Sequence, residues 1–194
     1  MKKRMFTMAI CASVLLAACS KDESITAEVE NNTAALKTAS GTKAGSYASG
    51  WETVSSWTKT DSSGYQVFTA NRAVPEITAD VQSGGAVLVW ARNIPDYDGS
   101  ILTKPMRLPF AIYPQPGRPA WHEQYYFGTA TGSVRLQYRT NKHQYVSVNV
   151  MPPTGVQFRF IAVSTQELGK MGLTPGSLQG MDYEQMIGQL GIPQ

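Results

Sequence analysis

Between residues 51 and 163, apolar side chains come in short runs, alternating or continuous, separated by clusters of glycine, proline, asparagine and aspartate. Such punctuated runs predict an all-β domain. They place strands at Trp51–Thr58, Tyr65–Ala70, Ala86–Arg92, Met106–Ile112, Trp121–Gly128, Ser133–Thr140, Gln144–Val150 and Val156–Val163. Ala86-Val87-Leu88-Val89-Trp90 is apolar on both faces and predicts a central strand. Pro75 to Gln82 predicts one short helical turn, ended by Gly84-Gly85. Residues 51–194 make one domain of common size, able to bury roughly two-thirds of its unfolded surface.

A three-strand meander is the clearest part of this pattern. Setting Gly128 opposite Ser133 pairs Phe127 with Val134 and Tyr125 with Leu136. Setting Thr140 opposite Gln144 pairs Tyr138, Leu136 and Val134 with Val146, Val148 and Val150. Both registers gather apolar residues on one side, and a slip of one residue would send a row of them to solvent. The other side carries His122, Gln124 and Tyr126, then Arg139, Gln137 and Arg135, then Tyr145, Ser147 and Asn149. One apolar and one polar face is what a sheet of a two-layer sandwich requires. At the chain's end, Asp182 and Gln185 form a capping-box pattern, and Tyr183, Met186, Ile187 and Leu190 make a helical apolar stripe before Gly191 and Pro193. The expected fold is therefore an antiparallel β-sandwich with a short C-terminal helix over residues 182–190.

The N-terminus predicts a location. Lys2, Lys3 and Arg4 precede an uncharged, mostly apolar stretch from Met5 to Ala18, which is the anatomy of a secretory signal peptide too short to span a membrane. Leu16-Ala17-Ala18-Cys19 resembles the lipobox of bacterial lipoproteins. That resemblance implies cleavage after residue 18, lipid on Cys19 and attachment to a membrane through the acyl chains. The chain has 17 Lys+Arg and 14 Asp+Glu, but three of the basic residues lie in the leader, so the mature chain is formally neutral. It lacks the basic excess expected of a nucleic-acid partner. The two cysteines are Cys11 in the leader and Cys19, which leaves the folded part without a disulfide or a cysteine ligand. Residues 20–50 are rich in Ser, Thr, Ala, Gly, Lys and Glu without sustained periodicity, and predict a flexible tether. Lys21-Asp22-Glu23 resembles the signal that exports lipoproteins of the Bacteroides group to the outer face of the outer membrane. The periplasmic face is the alternative.

A second resemblance covers most of residues 51–190. Trp51 with Trp57, Ile77-Thr78 leading to Gly85-Ala86-Val87-Leu88-Val89-Trp90, Leu108-Pro109-Phe110, Tyr125-Tyr126-Phe127 and Phe158-Arg159-Phe160-Ile161-Ala162-Val163 follow in this order. The series resembles a group of uncharacterised β-sandwich lipoproteins of Bacteroides-type bacteria. It implies an immunoglobulin-like or jelly-roll sandwich in that bacterial setting, and it brings no catalytic residues.

His122 falls on the polar face of a strand and His143 in a tight loop. No nucleophile elbow, zincin helix or Walker loop occurs. Two carboxylates suffice for glycoside hydrolysis, and Asp96, Asp98 and Glu123 are acids available for it, but turns and solvated faces are the preferred explanation of them, since proximity in sequence does not establish a facing pair. Asp96 to Ser100 fails as a calcium loop because Ile101 and Arg107 stand where glycine and an acid are needed. Tyr126, Arg135, Arg139 and Tyr145 on the polar meander face are the candidate ligand-binding residues, with the alternative that they merely stabilise a solvated sheet. Trp121 and Tyr113, beside the proline-rich stretch 114–119, are loop candidates for the same role. The expected function is a lipid-anchored, non-enzymatic module binding glycan or an envelope protein, with no cofactor and no metal. A polysaccharide hydrolase and a structural or adhesive surface subunit are the alternatives.

Overall fold

Alternation in the sequence translates directly into two packed sheets. The structure, a computed structural model, describes residues 41–194 apart from 44, 115, 117–119 and 148–149. The leader, Cys19 and the expected tether as far as residue 40 lie outside the described residues. The chain runs through β1 (Gly41–Lys43), β2 (Ser46–Ala48), β3 (Glu52–Thr53), β4 (Thr58–Ser62), β5 (Tyr65–Ala73), α1 (Ala79–Ser83) and β6 (Ala86–Arg92). It continues through β7 (Ile94–Pro95), β8 (Ile101–Leu102), β9 (Met106–Arg107), β10 (Phe110–Ile112), β11 (Glu123–Ala130) and β12 (Ser133–Thr140), followed by a 3-10 turn at Lys142–Gln144. Last come β13 (Gln157–Val163), α2 (Thr165–Lys170), α3 (Pro175–Gly180) and α4 (Tyr183–Leu190).

Among the described residues, one sheet has the order β1-β2-β13-β6-β9, with β3 also on β13, and the other has the order β10-β11-β12-β5-β4. Every pairing is antiparallel. The first core lies between the sheets, where Val89, Ala91, Phe158 and Phe160 meet Phe68, Tyr125, Leu136 and Tyr138. A second core lies on the far side of the β13-β6 pair. There Leu88, Trp90, Ile161 and Val163 pack against Leu168, Leu178, Met186, Ile187 and Leu190. Burying each of these aliphatic side chains contributes about 1.5–3 kcal/mol. The molecule is thus a β-sandwich with a helical layer on one sheet. We call that sheet the covered sheet and its partner the open sheet.

The apolar character of β6 on both faces now has its cause, since Val89 faces the first core and Leu88 and Trp90 the second. The helices owe their ends to capping. Ser164, Thr174 and Asp182 each accept a backbone N–H of their first turn, and Thr174 and Asp182 complete capping boxes with Ser177 and Gln185. α4 ends at Gly191, whose φ of 63° is left-handed.

Several expectations are corrected. The domain begins before Trp51, because β2 pairs with β13 and buries Ser46 and Ala48. Trp51–Thr58 is not one strand: Glu52–Thr53 joins the covered sheet and Thr58–Ser62 edges the open one. Met106–Ile112 is likewise two strands in different sheets, with the chain passing between them at Leu108-Pro109, a cis bond. The β11-β12 hairpin is registered two residues further on than expected, with Ala130 opposite Ser133 and Phe127 opposite Leu136. An even shift leaves every side chain on its expected face. The third meander strand is not formed by Gln144–Val150. Its place beside β12 is taken by β5, in an eight-residue ladder from Ser133–Ala73 to Thr140–Gln66. Gln144 instead sits in the 3-10 turn and donates to the Gly64 carbonyl at 2.6 Å. Val148 and Asn149 lie outside the described residues.

Candidate functional site

The inner rows of β5, β11 and β12 are occupied by the core, so their alternate rows must face outward. On β5 the buried positions are Gln66, Phe68 and Ala70, and on β12 they are Val134, Leu136, Tyr138 and Thr140. The outward rows follow from the register. Gln124, Arg139, Val67 and Thr60 form one row, Tyr126, Gln137, Thr69 and Thr58 a second, and Gly128, Arg135 and Asn71 a third. Among the described residues no helix lies on this face, whereas the covered sheet has helices on its corresponding side. These rows contain two arginines, amides and hydroxyls, and no carboxylate.

Arg139 lies with its guanidinium carbon 3.6 Å from the centroid of the Tyr65 ring, a cation–π stack that leaves the N–H edge of the fork free for other acceptors. The Tyr65 hydroxyl is 2.9 Å from His122 Nε2. Burial, and next the charge of Arg139, hold the His122 imidazole below its ordinary pKa. Tyr113, 65 % exposed, stands with its ring centroid 6.2 Å from that of His122. Arg135 is exposed at the other end of the face. Arg72 comes beside it from the end of β5 and donates to the Thr53 carbonyl at 2.7 Å.

Three open cavities mark the face. One of ≈ 390 Å³ is lined by Ser55, Ser56, Thr58, Asn71, Arg72 and Arg135 among others. A second of ≈ 340 Å³ shares Asn71 and Arg135 and extends over Gly128 to Ser133. The third, ≈ 530 Å³, is lined by Ser62, Ser63, Val67, Tyr126, Gln137 and Arg139. Each has at least one arginine in its wall and none has an acid.

The structure brings Tyr126, Arg135 and Arg139 onto one face, as the alternation predicts, but with other neighbours. Tyr126 stands opposite Gln137 rather than Arg135, and Arg139 stands between Gln124 and Val67. Tyr145 is not part of the face. It follows the 3-10 turn and is 43 % exposed. Trp121 is also engaged elsewhere: Tyr97 stacks on its ring at 4.3 Å, and Lys142 Nζ sits 4.3 Å from its centroid. Both contacts engage the indole within the fold. Tyr65, Asn71 and Arg72 are the residues that sequence reasoning left out. The signal for Tyr65 and Asn71 was the outward alternation Tyr65, Val67, Thr69, Asn71, visible in the sequence once β5 is placed beside β12, whereas Arg72 has the opposite parity and reaches the cavity from the end of the strand.

The acids do different work. Asp96 accepts the Tyr97 N–H at 2.7 Å and Asp98 the Ser100 N–H at 2.8 Å, so both shape the β7–β8 turn. Glu123 is 4 % exposed and faces the core side of β11, with Lys142 Nζ 3.6 Å away. Burial raises its carboxyl pKa, and the Lys142 charge only partly opposes this. The neighbouring Tyr125 and Tyr138 hydroxyls are buried without a hydrogen-bond partner of ordinary geometry, and burial, reinforced by the Glu123 charge, raises their pKa values. The interaction of Tyr138 with Glu123 is therefore electrostatic contact rather than a well-formed hydrogen bond. His143 stands in the 3-10 turn, away from the open-sheet rows. Among the described residues no three His, Cys, Asp or Glu side chains come together to hold a metal ion, and no helix is long and apolar enough to cross a membrane. Compared with protein-family models, with curated proteins and with solved structures, the chain matches none.

Proposed function

We propose that this protein is a lipid-anchored envelope protein whose sandwich binds glycan or protein on the open-sheet face, without catalysis. The observation that carries the reading is the contrast between the two sheets. One is packed on both sides. The other presents Tyr126, Gln137, Arg135, Arg139, Thr69 and Asn71 outward from a rigid ladder whose inner side is core. Planar donors and a ring fixed on strands form a preorganised surface, which reduces the ordering cost of binding.

The anchor supplies the place. In this reading Cys19 carries the lipid, the chain belongs to the outer membrane of a Bacteroides-type bacterium, and the domain faces outward from the cell. The outward orientation is preferred to the periplasmic one because of Lys21-Asp22-Glu23. Metabolic labelling with an alkynyl fatty acid tests the anchor. Label should appear on the chain and vanish in Cys19→Ser, and an unlabelled wild type would refute it. Protease added to intact cells should remove the domain, while survival of the domain would place it in the periplasm. A glycan array probed with the intact protein should show binding that weakens in Tyr126→Ala. A blank array, together with no protein captured by wild type over an Arg135→Glu, Arg139→Glu control, would sink the binding role.

A further inference from the structure

The chemistry of the open face points to a narrower class of occupant. We infer that it takes an anionic polysaccharide laid along β12, with acidic groups of the polymer held at Arg135 and at Arg139. This rests on reading the open face as the binding surface.

The first observation is the charge pattern. Arg135 and Arg139 project from the same side of one strand, with Gln137 between them, and the outward rows around them hold no acid. Tyr65 gives Arg139 a ring to stack on, but a ring does not neutralise a guanidinium as a carboxylate opposite it would. Here the cross-strand neighbours of Arg135 are Gly128 and Asn71, and those of Arg139 are Gln124 and Val67. Among the described ion pairs neither arginine takes part. The counter-charge is thus left to come from outside the chain.

The second observation is the cavities. Arg135 lines two of them and Arg139 a third. Four residues at about 3.3 Å each separate the two arginines by roughly 13 Å along the strand. Two cationic notches at that distance suit a linear polymer with charges at regular intervals. The notch at Arg135 adds the Ser55, Ser56, Thr58 and Asn71 side chains, and the notch at Arg139 adds Ser62, Ser63, Gln137 and Tyr126. Hydroxyls, amides and an aromatic ring match sugar hydroxyls and ring faces, while the guanidinium fork matches a carboxylate or sulfate in two-point contact. An acidic peptide would share the charges but would be expected to find apolar pockets for its side chains. The cavity walls supply Val67, Ala70 and Ala130 as their aliphatic side chains.

The test is affinity electrophoresis of the intact protein through gels carrying polygalacturonate, dextran sulfate, neutral dextran or poly-L-glutamate. Retardation by polygalacturonate identifies a uronate-type occupant and retardation by dextran sulfate a sulfated one. Either should fade as salt rises. Arg135→Gln with Arg139→Gln should weaken retention at least tenfold, and each single change several-fold. Lys104→Gln, an exposed lysine in the β8–β9 connection, should leave it unchanged. Thermal melts of Lys104→Gln and Arg135→Gln should coincide with wild type, because both residues are exposed, while Arg139→Gln, which gives up the Tyr65 stack, should melt no more than about 2–4 °C lower. Equal loss in Lys104→Gln, or none in the double variant, would overturn the inference. So would tighter retention by poly-L-glutamate, which would assign the face to an acidic protein and leave the binding-module reading standing. Retention by neutral dextran that ignores both arginines would likewise remove the anionic class while keeping the module. No retention by any of the four would remove the inference, and the glycan array then decides the module separately.

Discussion

Arg159 holds the helical layer to the covered sheet, and replacing it gives a prediction with a size. The side chain is 2 % exposed and lies on the β13 face that meets the helices. Its guanidinium donates to the Ser49 carbonyl at 2.9 Å, to the Pro193 carbonyl at 2.6 Å and to the Tyr183 hydroxyl. Among the described residues no carboxylate pairs with it. Arg159→Ala strips two carbonyl oxygens of their donor. At about 2 kcal/mol for each orphaned acceptor the loss is about 4 kcal/mol. Removing a buried charge that has no counter-ion returns part of this, so the net expectation is about 3 kcal/mol. At about 2–4 °C per kcal/mol for a domain of this size, the melting temperature should fall by about 6–12 °C. Arg159→Met leaves the same two carbonyls unpaired and removes the same charge, so it too should lose about 3 kcal/mol. Urea unfolding of the intact protein measures both as midpoint shifts at constant slope. An alanine variant within about 1 kcal/mol of wild type would refute the reasoning. So would a methionine variant more stable than wild type, since the buried charge would then outweigh its hydrogen bonds.

Three further outcomes are expected. Burial raises the folded pKa of Glu123 above its unfolded value, so its contribution to stability is full below the unfolded pKa and is lost as pH rises through the folded one. Glu123→Gln should therefore be more stable than wild type at pH 7 and lose that advantage on acidification, as thermal melts across pH would show; an advantage independent of pH would contradict this. His122 is shifted the other way, so its contribution is present above its unfolded pKa and is lost as pH falls through the folded one. Its NMR titration should be centred below 6.5 and should move up in Arg139→Gln, whereas an unchanged midpoint would remove Arg139 as a cause. Gly85→Ala would put a Cβ 2.3 Å from the Val163 carbonyl oxygen and 2.8 Å from Val81 Cα. Because both are backbone atoms, the change should cost about 3 kcal/mol, at the upper end of overpacking penalties, and a urea midpoint near that of wild type would show that α1 can shift.

How much of this was legible in the sequence depended on whether the signal was local. Ala86–Arg92 and Ser133–Thr140 are strands with the expected bounds, because burial on two faces or on alternate residues leaves a continuous pattern. α4 was equally legible, with Asp182, Gln185 and Gly191 at its ends. The two-residue register error in β11-β12 was harmless to the faces but misassigned every pair, since alternation specifies a side and not a partner. For the same reason Gln144–Val150 could be set beside β12, a place that β5 occupies from sixty or more positions away in sequence. β2 escaped notice because its buried residues are Ser46 and Ala48, small side chains that give no hydrophobic signal. α2 and α3 are six residues each, too short to show a period. Of the site, Tyr126, Arg135 and Arg139 could be placed on one face from parity alone. Tyr145 was misplaced with the strand that carried it, and Arg72 and Asn71 required the long-range pairing of β5.

The most direct test of the open face as the binding surface is arginine footprinting. The intact protein would be modified with phenylglyoxal, with and without polygalacturonate, and the adducts mapped by mass spectrometry. Arg135 and Arg139 should be protected by the polymer. Arg92, which lies over Trp51, and Arg107, which donates to the Gln179 carbonyl, should react equally in both samples. Protection of Arg92 or Arg107 with Arg135 and Arg139 left reactive would place binding on the covered sheet's side of the molecule and contradict the account.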